Sequence, residues 1–211
     1  MNSINKVNYK LYLVTDSNII GDRNLVECVR DAIIGGVSVV QLREKNISTR
    51  DFYQTALALK ELTDYYNVPL IINDRLDIAL AVDAAGLHIG QSDLPAIEAR
   101  KLLGKDKILG VSVSNIEQAQ KAKIQGADYI GVGAIFPTNS KGDAKNLNID
   151  ILTNIRNSVD IPIVAIGGIN ENNIELLNNT KINGVAVISA ILGNEDIIKA
   201  SNNLYYKCKF L

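Results

Sequence analysis

Two carboxylates and three cations stand just beyond short apolar runs, where a strand would hand the chain to a loop. Asp74 closes Leu70-Ile71-Ile72-Asn73, and Asp93 follows Gly86-Leu87-His88-Ile89 within Gly90-Gln91-Ser92-Asp93. Carboxylates on neighbouring strand ends suit Mg2+, a hard ion that keeps waters and substrate oxygens in its remaining octahedral positions. Arg43 and Lys45 leave the run Val39-Val40-Gln41-Leu42, and Lys141 lies in Pro137-Thr138-Asn139-Ser140-Lys141-Gly142. Arginine adds bidentate geometry and lysine a point charge, so with a divalent ion the three cations can neutralise a diphosphate. Glu44, between two of them, is expected to pair with one of the cations. Thr138, Asn139, Ser140 and Lys141 put two hydroxyls, an amide and an ammonium into four residues, a composition suited to oxyanions. Gly167-Gly168 follows Val164-Ala165-Ile166, and Ser189 follows Val185-Ala186-Val187-Ile188. Together these two exits make a phosphate cradle.

Each residue also has a plainer reading. Asp93 can cap the helix that Pro95 opens, Gly167-Gly168 can be a tight turn, and any one cation can belong to a surface ion pair. His88 is the only histidine and falls inside a short run rather than at its exit. It reads as a satisfied core histidine. With no second histidine and no thiolate site, Ser-His, Cys-His and zinc chemistry are unsupported.

The positioning elements follow from periodicity. Short β-branched runs read as buried strands over 11–15, 37–42, 69–73, 86–89, 107–112, 128–132, 162–166 and 184–188. Helical spacing fills 23–34, 49–66, 77–82, 95–103, 116–125, 148–157 and 195–206, and a further helix is expected from about Asn170. Ser48, Thr49 and Asn115 supply caps, and Pro95 suits a first turn. Eight strands alternating with helices imply parallel strands with right-handed crossovers, and eight units favour closure into an α/β, (β/α)8 TIM barrel over residues 1–211 as one catalytic domain. An open doubly wound sheet is the alternative. The near-continuous apolar runs suit strands buried on both faces.

Composition fits this picture. The chain has 211 residues, 47% hydrophobic and 21% charged, with net charge −1. That balance argues against a nucleic-acid surface. No apolar run approaches the ~18 residues of a bilayer span. Met1 to Lys6 carry no apolar signal core. Cys28 and Cys208 are far apart and outside any CxxC spacing, as expected of thiols in a cytoplasmic protein. A homo-oligomer stays open.

Six motifs in order resemble the thiamine phosphate synthase family. They are Gln41-Leu42-Arg43-Glu44-Lys45, Ile72-Asn73-Asp74-Arg75, His88-Ile89-Gly90-Gln91-Ser92-Asp93-Leu94, Gly110-Val111-Ser112, Phe136-Pro137-Thr138-Asn139-Ser140-Lys141 and Ile166-Gly167-Gly168-Ile169. The resemblance runs over about residues 11–192. It implies that an aminopyrimidine methyl diphosphate is joined to a thiazole phosphate, giving thiamine phosphate and diphosphate. It implies that Gln41, Arg43, Lys45, Asn73, Ser112 and Lys141 hold the pyrimidine and its diphosphate, with Leu42 and Glu44 in the same binding run. It further implies that Thr138, Asn139, Ser140, Gly168, Ile188 and Ser189 hold the thiazole phosphate, and that Asp74 and Asp93 hold Mg2+. Arg43, Lys45, Ser112 and Lys141 would be the catalytic set.

Such a reaction needs no protein nucleophile or base. Diphosphate leaves well once its charge is neutralised, an aminopyrimidine stabilises a methylene cation, and the thiazole nitrogen already has a lone pair. Two positions depart from the family pattern. Ser114 stands where a histidine is usual, and Ala134 where a proline is. A related thiazole tautomerase, the competing enzyme reading, presents a histidine at the place of Ala134, and proton shuttling needs such a group. A non-catalytic phosphate-binding protein is the third reading, and it leaves the cations and carboxylates unexplained.

Overall fold

The computed structural model describes residues 7–138 and 147–211. Eight parallel strands close into a barrel in sequence order: β1 Leu11–Val14, β2 Val39–Leu42, β3 Leu70–Asn73, β4 Gly86–Ile89, β5 Ile108–Val113, β6 Tyr129–Gly133, β7 Ile163–Ile166 and β8 Gly184–Val187. Closure is made by β1 against β8, with Leu11 opposite Val185 and Leu13 opposite Val187. The open-sheet alternative is thereby excluded.

The strands read as continuous apolar runs because both faces are covered. Leu11, Leu13, Val40, Leu42, Leu70 and Ile72 face outward into the layer shared with the helices. Tyr12, Val14, Val39, Ile71, Ile108, Tyr129, Val164 and Ala186 fill the interior. The period of two sorts each strand between these layers.

The helices are α1 Ser17–Ile20, α2 Leu25–Ile34, α3 Thr49–Tyr65, α4 Leu76–Ala81, α5 Ala96–Leu103, α6 Ile116–Ile124, α7 Ile149–Ser158, α8 Ser189–Leu192 and α9 Ile197–Lys207. Their starts follow side-chain capping. Ser48 accepts from Asp51 N–H, Asn115 from Gln118 N–H and Asn148 from Ile151 N–H.

Two expectations need correction. The helix expected from Asn170 is only a 3-10 turn, Ile174–Leu177. Its first residues bond to one another instead: Asn172 N–H donates to Asn170 Oδ1, and Asn170 N–H to Asn173 Oδ1, both at 2.9 Å. Short amides that satisfy nearby backbone compete with the helical ladder. Asp93 also does not cap α5. Pro95 holds the cap position, and the Asp93 carboxylate turns back to accept from Gly90 N–H at 2.6 Å.

Candidate active site at the C-terminal rim

The site is built from strand exits. Asn73 ends β3, and Asp74 follows in the left-handed region at φ 60°. Asp74 N–H donates to His88 O at 2.8 Å, which locks this exit onto β4. Asp93 lies three residues beyond Gly90, at the next strand's exit. The two carboxyls meet. Burial pushes Asp74 up to about 6, its hydrogen bond to Asp93 and the repulsion from that carboxylate add to the rise, and Lys45 and the Asn73 amide pull it back.

Among the described residues no group of three or more His, Cys, Asp or Glu side chains could hold a metal ion. A two-carboxylate site fits Mg2+ all the same, since that ion usually binds through one or two carboxylates and keeps its waters. It would also relieve the crowding of Asp74 against Asp93.

The β2 exit is held by β1. Arg43 N–H donates to Thr15 Oγ1 at 3.0 Å, and the Arg43 guanidinium lies 3.8 Å from Asp16. Glu44 does not pair with Arg43 or Lys45 in the described structure. Its carboxylate accepts from Ser17 Oγ at 2.8 Å. Burial raises the Glu44 pKa, and the Ser17 hydroxyl opposes that rise. The first turn of α1 therefore takes up Glu44, which leaves Arg43 and Lys45 uncommitted to it. Leu42 is fully buried in the outer layer against the helices. Its side chain cannot line the mouth, so any substrate contact there is through backbone.

Gln41 faces the interior and opens a buried polar chain. Its Nε2 donates to Tyr12 OH at 2.8 Å, and Tyr12 OH lies 2.7 Å from Tyr129 OH. Tyr129 OH lies 2.8 Å from His88 Nδ1, and His88 Nε2 lies 2.8 Å from Ser112 Oγ. His88 is thus the satisfied core histidine expected from its position, and it also touches a candidate site residue. Room for the rings comes from the neighbouring strands: a Cβ at Gly110 would sit 2.2 Å from the Tyr129 ring, and one at Gly131 would sit 3.2 Å from His88. Tyr12 and Tyr129 escaped the sequence reading because a tyrosine inside an apolar run looks like packing. The available signal was their inward register, shared with Gln41 and Ser112.

On the other side of the rim lie the phosphate elements. Gly167 and Gly168 adopt φ 102° and 65°. A Cβ at Gly168 would come within 2.4 Å of Pro137 O, so the β7 exit packs directly under the residues leading to Thr138. Asn173 Nδ2 donates to Gly168 O at 2.9 Å and fixes the turn. Ile188 caps α8, and Ser189 begins it. The first N–H groups of a helix have no partner within it. Asn139, Ser140 and Lys141 lie outside the described residues.

The two departures from the family pattern have plain surroundings. Ser114 N–H donates to Gln118 Oε1 at 2.8 Å, part of the α6 capping arrangement. Ala134 is buried at the β6 exit.

Similarity to known proteins agrees with this layout. A family model described as thiamine monophosphate synthase matches residues 11–191. The chain is 61% identical over 194 residues to the thiamine-phosphate synthase of Clostridium tetani, covering 92% of this chain and 93% of that one. It is 56% identical over 191 residues to the protein of the same name from Clostridium acetobutylicum, covering 90% of each. Among solved structures, thiamine phosphate pyrophosphorylase from Pyrococcus furiosus superposes with a TM-score of 0.89 at 40% identity, over 96% of both chains. A 3-hexulose-6-phosphate synthase shares the fold at a TM-score of 0.65 and 15% identity, over 94% of this chain and 99% of that one. With the match of the family model over most of its length, and relatives this similar, the chain belongs to the thiamine monophosphate synthase family, a family of transferases.

Proposed function

We propose that the rim joins an aminopyrimidine methyl diphosphate to a thiazole phosphate in a dissociative reaction. The bond between the methylene carbon and the diphosphate oxygen breaks, and its electron pair leaves with the diphosphate. The aminopyrimidine ring stabilises the methylene cation, and the thiazole nitrogen lone pair forms the new carbon–nitrogen bond. No proton is removed from that nitrogen, so no general base is required.

The protein's part is electrostatic stabilisation and alignment. Arg43, Lys45 and Lys141 would face the diphosphate, with Lys141 acting as it departs. Gln41, Asn73 and Ser112 would hold the pyrimidine. Gly168, Ile188 and Ser189, with Thr138, Asn139 and Ser140, would hold the thiazole phosphate. Asp74 and Asp93 would hold Mg2+, which supplies positive charge to the leaving diphosphate. A cytoplasmic setting for a single catalytic domain fits the two buried free thiols, Cys28 and Cys208. Among the described residues no helix is long and apolar enough to cross a membrane.

The observation that carries this reading is the contact of Asp74 with Asp93 beside Lys45. Purified protein supplied with both substrates and Mg2+ should release thiamine phosphate and diphosphate in equal amounts. Diphosphate release that does not depend on the thiazole phosphate would overturn it.

A further inference from the structure

Five polar side chains form a connected file through the barrel interior, Gln41, Tyr12, Tyr129, His88 and Ser112, with the Gln41 amide beside both tyrosine hydroxyls. Four contacts of 2.7–2.8 Å join them. They come from β2, β1, β6, β4 and β5, so the file connects two residues of the rim through three that lie deeper. Every junction uses one proton and one lone pair, and that requirement gives the file a direction.

An amide nitrogen donates and cannot accept. Tyr12 therefore receives the Gln41 proton, and its own proton goes to Tyr129. Tyr129 donates in turn to His88 Nδ1. A neutral imidazole that accepts at Nδ1 carries its proton on Nε2, and Nε2–H donates to Ser112 Oγ. The hydroxyl proton of Ser112 must then point away from His88. Running the file backwards would give Tyr12 two incoming hydrogen bonds and leave its own buried proton without an acceptor. Such orphans are rare and costly. Both phenols stay protonated, because burial lifts them well above the ordinary tyrosine range.

We propose that Tyr12, Tyr129 and His88 are positioning residues that set the polarity of the pyrimidine pocket: Gln41 presents its oxygen as an acceptor, and Ser112 presents its O–H as a donor. This rests on the reading that Gln41 and Ser112 hold the aminopyrimidine. The match is chemical. An aminopyrimidine offers an exocyclic N–H donor, which the Gln41 oxygen can take, and ring nitrogens that accept, one of which the Ser112 hydroxyl can serve. A 4-oxo pyrimidine puts an acceptor where the amino group was, against the Gln41 oxygen. The pocket rejects it for as long as the amide cannot turn over. Turning the amide would demand that all four protons of the file move together, so the file makes the rejection firm.

The tautomer of His88 tests the direction without any substrate. His88 is the only histidine in the chain, so its ring nitrogens give one set of signals in a nitrogen–proton correlation spectrum. The Nε2–H form is expected in the wild-type protein. An Nδ1–H form, or an even mixture, would overturn the proposal.

The second measurement compares kcat/KM for the aminopyrimidine diphosphate and its 4-oxo counterpart. Tyr129→Phe keeps the ring and removes the acceptor of the Tyr12 proton. Tyr12 can then donate to a turned Gln41 amide, and the preference for the amino substrate should fall by about tenfold or more. The tautomer measurement on the unsubstituted protein decides the direction of the file whether or not this variant folds. A purely packing role predicts a lower melting temperature with the preference intact, and that result would overturn the proposal. A wild-type protein inactive on both substrates but holding Nε2–H would refute the synthase reading while supporting the direction of the file.

Discussion

At the N-terminal end of the barrel charges come in opposite-sign pairs, whereas at the C-terminal rim two carboxylates face each other. The bottom end holds a cavity of about 250 Å3 ringed by Lys60, Asp64, Asp83 and Lys107. Lys107 Nζ is 2.6 Å from Asp83 and 2.6 Å from Ala84 O, and Lys60 pairs with Asp64 one helical turn away. Arg100 bridges to Asp128 at 2.5 Å beside the start of β6. These groups neutralise one another and tie loops to strand starts. Among the described residues the rim is less evenly matched. Burial and then the adjacent Asp93 raise the Asp74 pKa, and Arg43 lies 3.8 Å from its partner Asp16. Balanced charge close to backbone carbonyls marks architecture, and crowded like charge marks a place where something from outside supplies the counter-charge.

The strongest way to break this comparison is at Asp93. Asp93→Ala should lower turnover by about a hundredfold or more at limiting Mg2+ and raise the Mg2+ concentration needed, since it removes stabilisation of the leaving group. Wild-type rates across a Mg2+ titration would show that the rim carboxylates are structural after all.

Gly168→Val comes next. It forces a positive-φ residue and a Cβ into Pro137 O, so it should displace residues 136–138 as well as the phosphate cradle. We expect the KM for the thiazole phosphate to rise about tenfold or more, with a lower melting temperature. An unchanged KM would separate the glycine turn from the phosphate site.

A third comparison uses pH in metal-free protein. The folded pKa of Asp74 is raised to about 6, above its unfolded value, so the group contributes stability that is present at pH below about 4 and lost as pH rises through 6. Exposure and solvent screening make this a modest loss. Asp93→Asn should flatten it, and Mg2+ should oppose it in the wild type. Melting curves between pH 4 and 8 read the effect directly. A profile that Asp93→Asn leaves unchanged would mean that the two carboxyls do not sense each other.

The smallest effect belongs to the bottom end. Lys107→Met should cost about 1 kcal/mol or less, because Asp83 is largely solvated, and it should leave kcat and KM unchanged. A kinetic defect there would erase the distinction between the two ends.

Much of the rim was legible beforehand because strand exits are local signals. β-branched runs, a following Asp or Arg, and Asn and Ser caps all act over a few residues, and they placed Asp74, Asp93, Arg43 and Lys45 correctly at one end. The helix expected at Asn170 failed for an equally local reason. Its asparagines had closer backbone groups to satisfy than a helical ladder would have offered.

By itself the sequence determined the alternation of strands and helices, their capping, and which residue types leave each strand, since periods of 2 and 3.6 and cap chemistry are written in neighbouring positions. The tertiary structure alone decided partners. It gave Glu44 to Ser17, turned Leu42 toward the helices, and joined Tyr12 to Tyr129 across 117 residues of chain. Barrel closure brings those groups together, and proton donation between them is fixed only once every member of the buried file has found its neighbour.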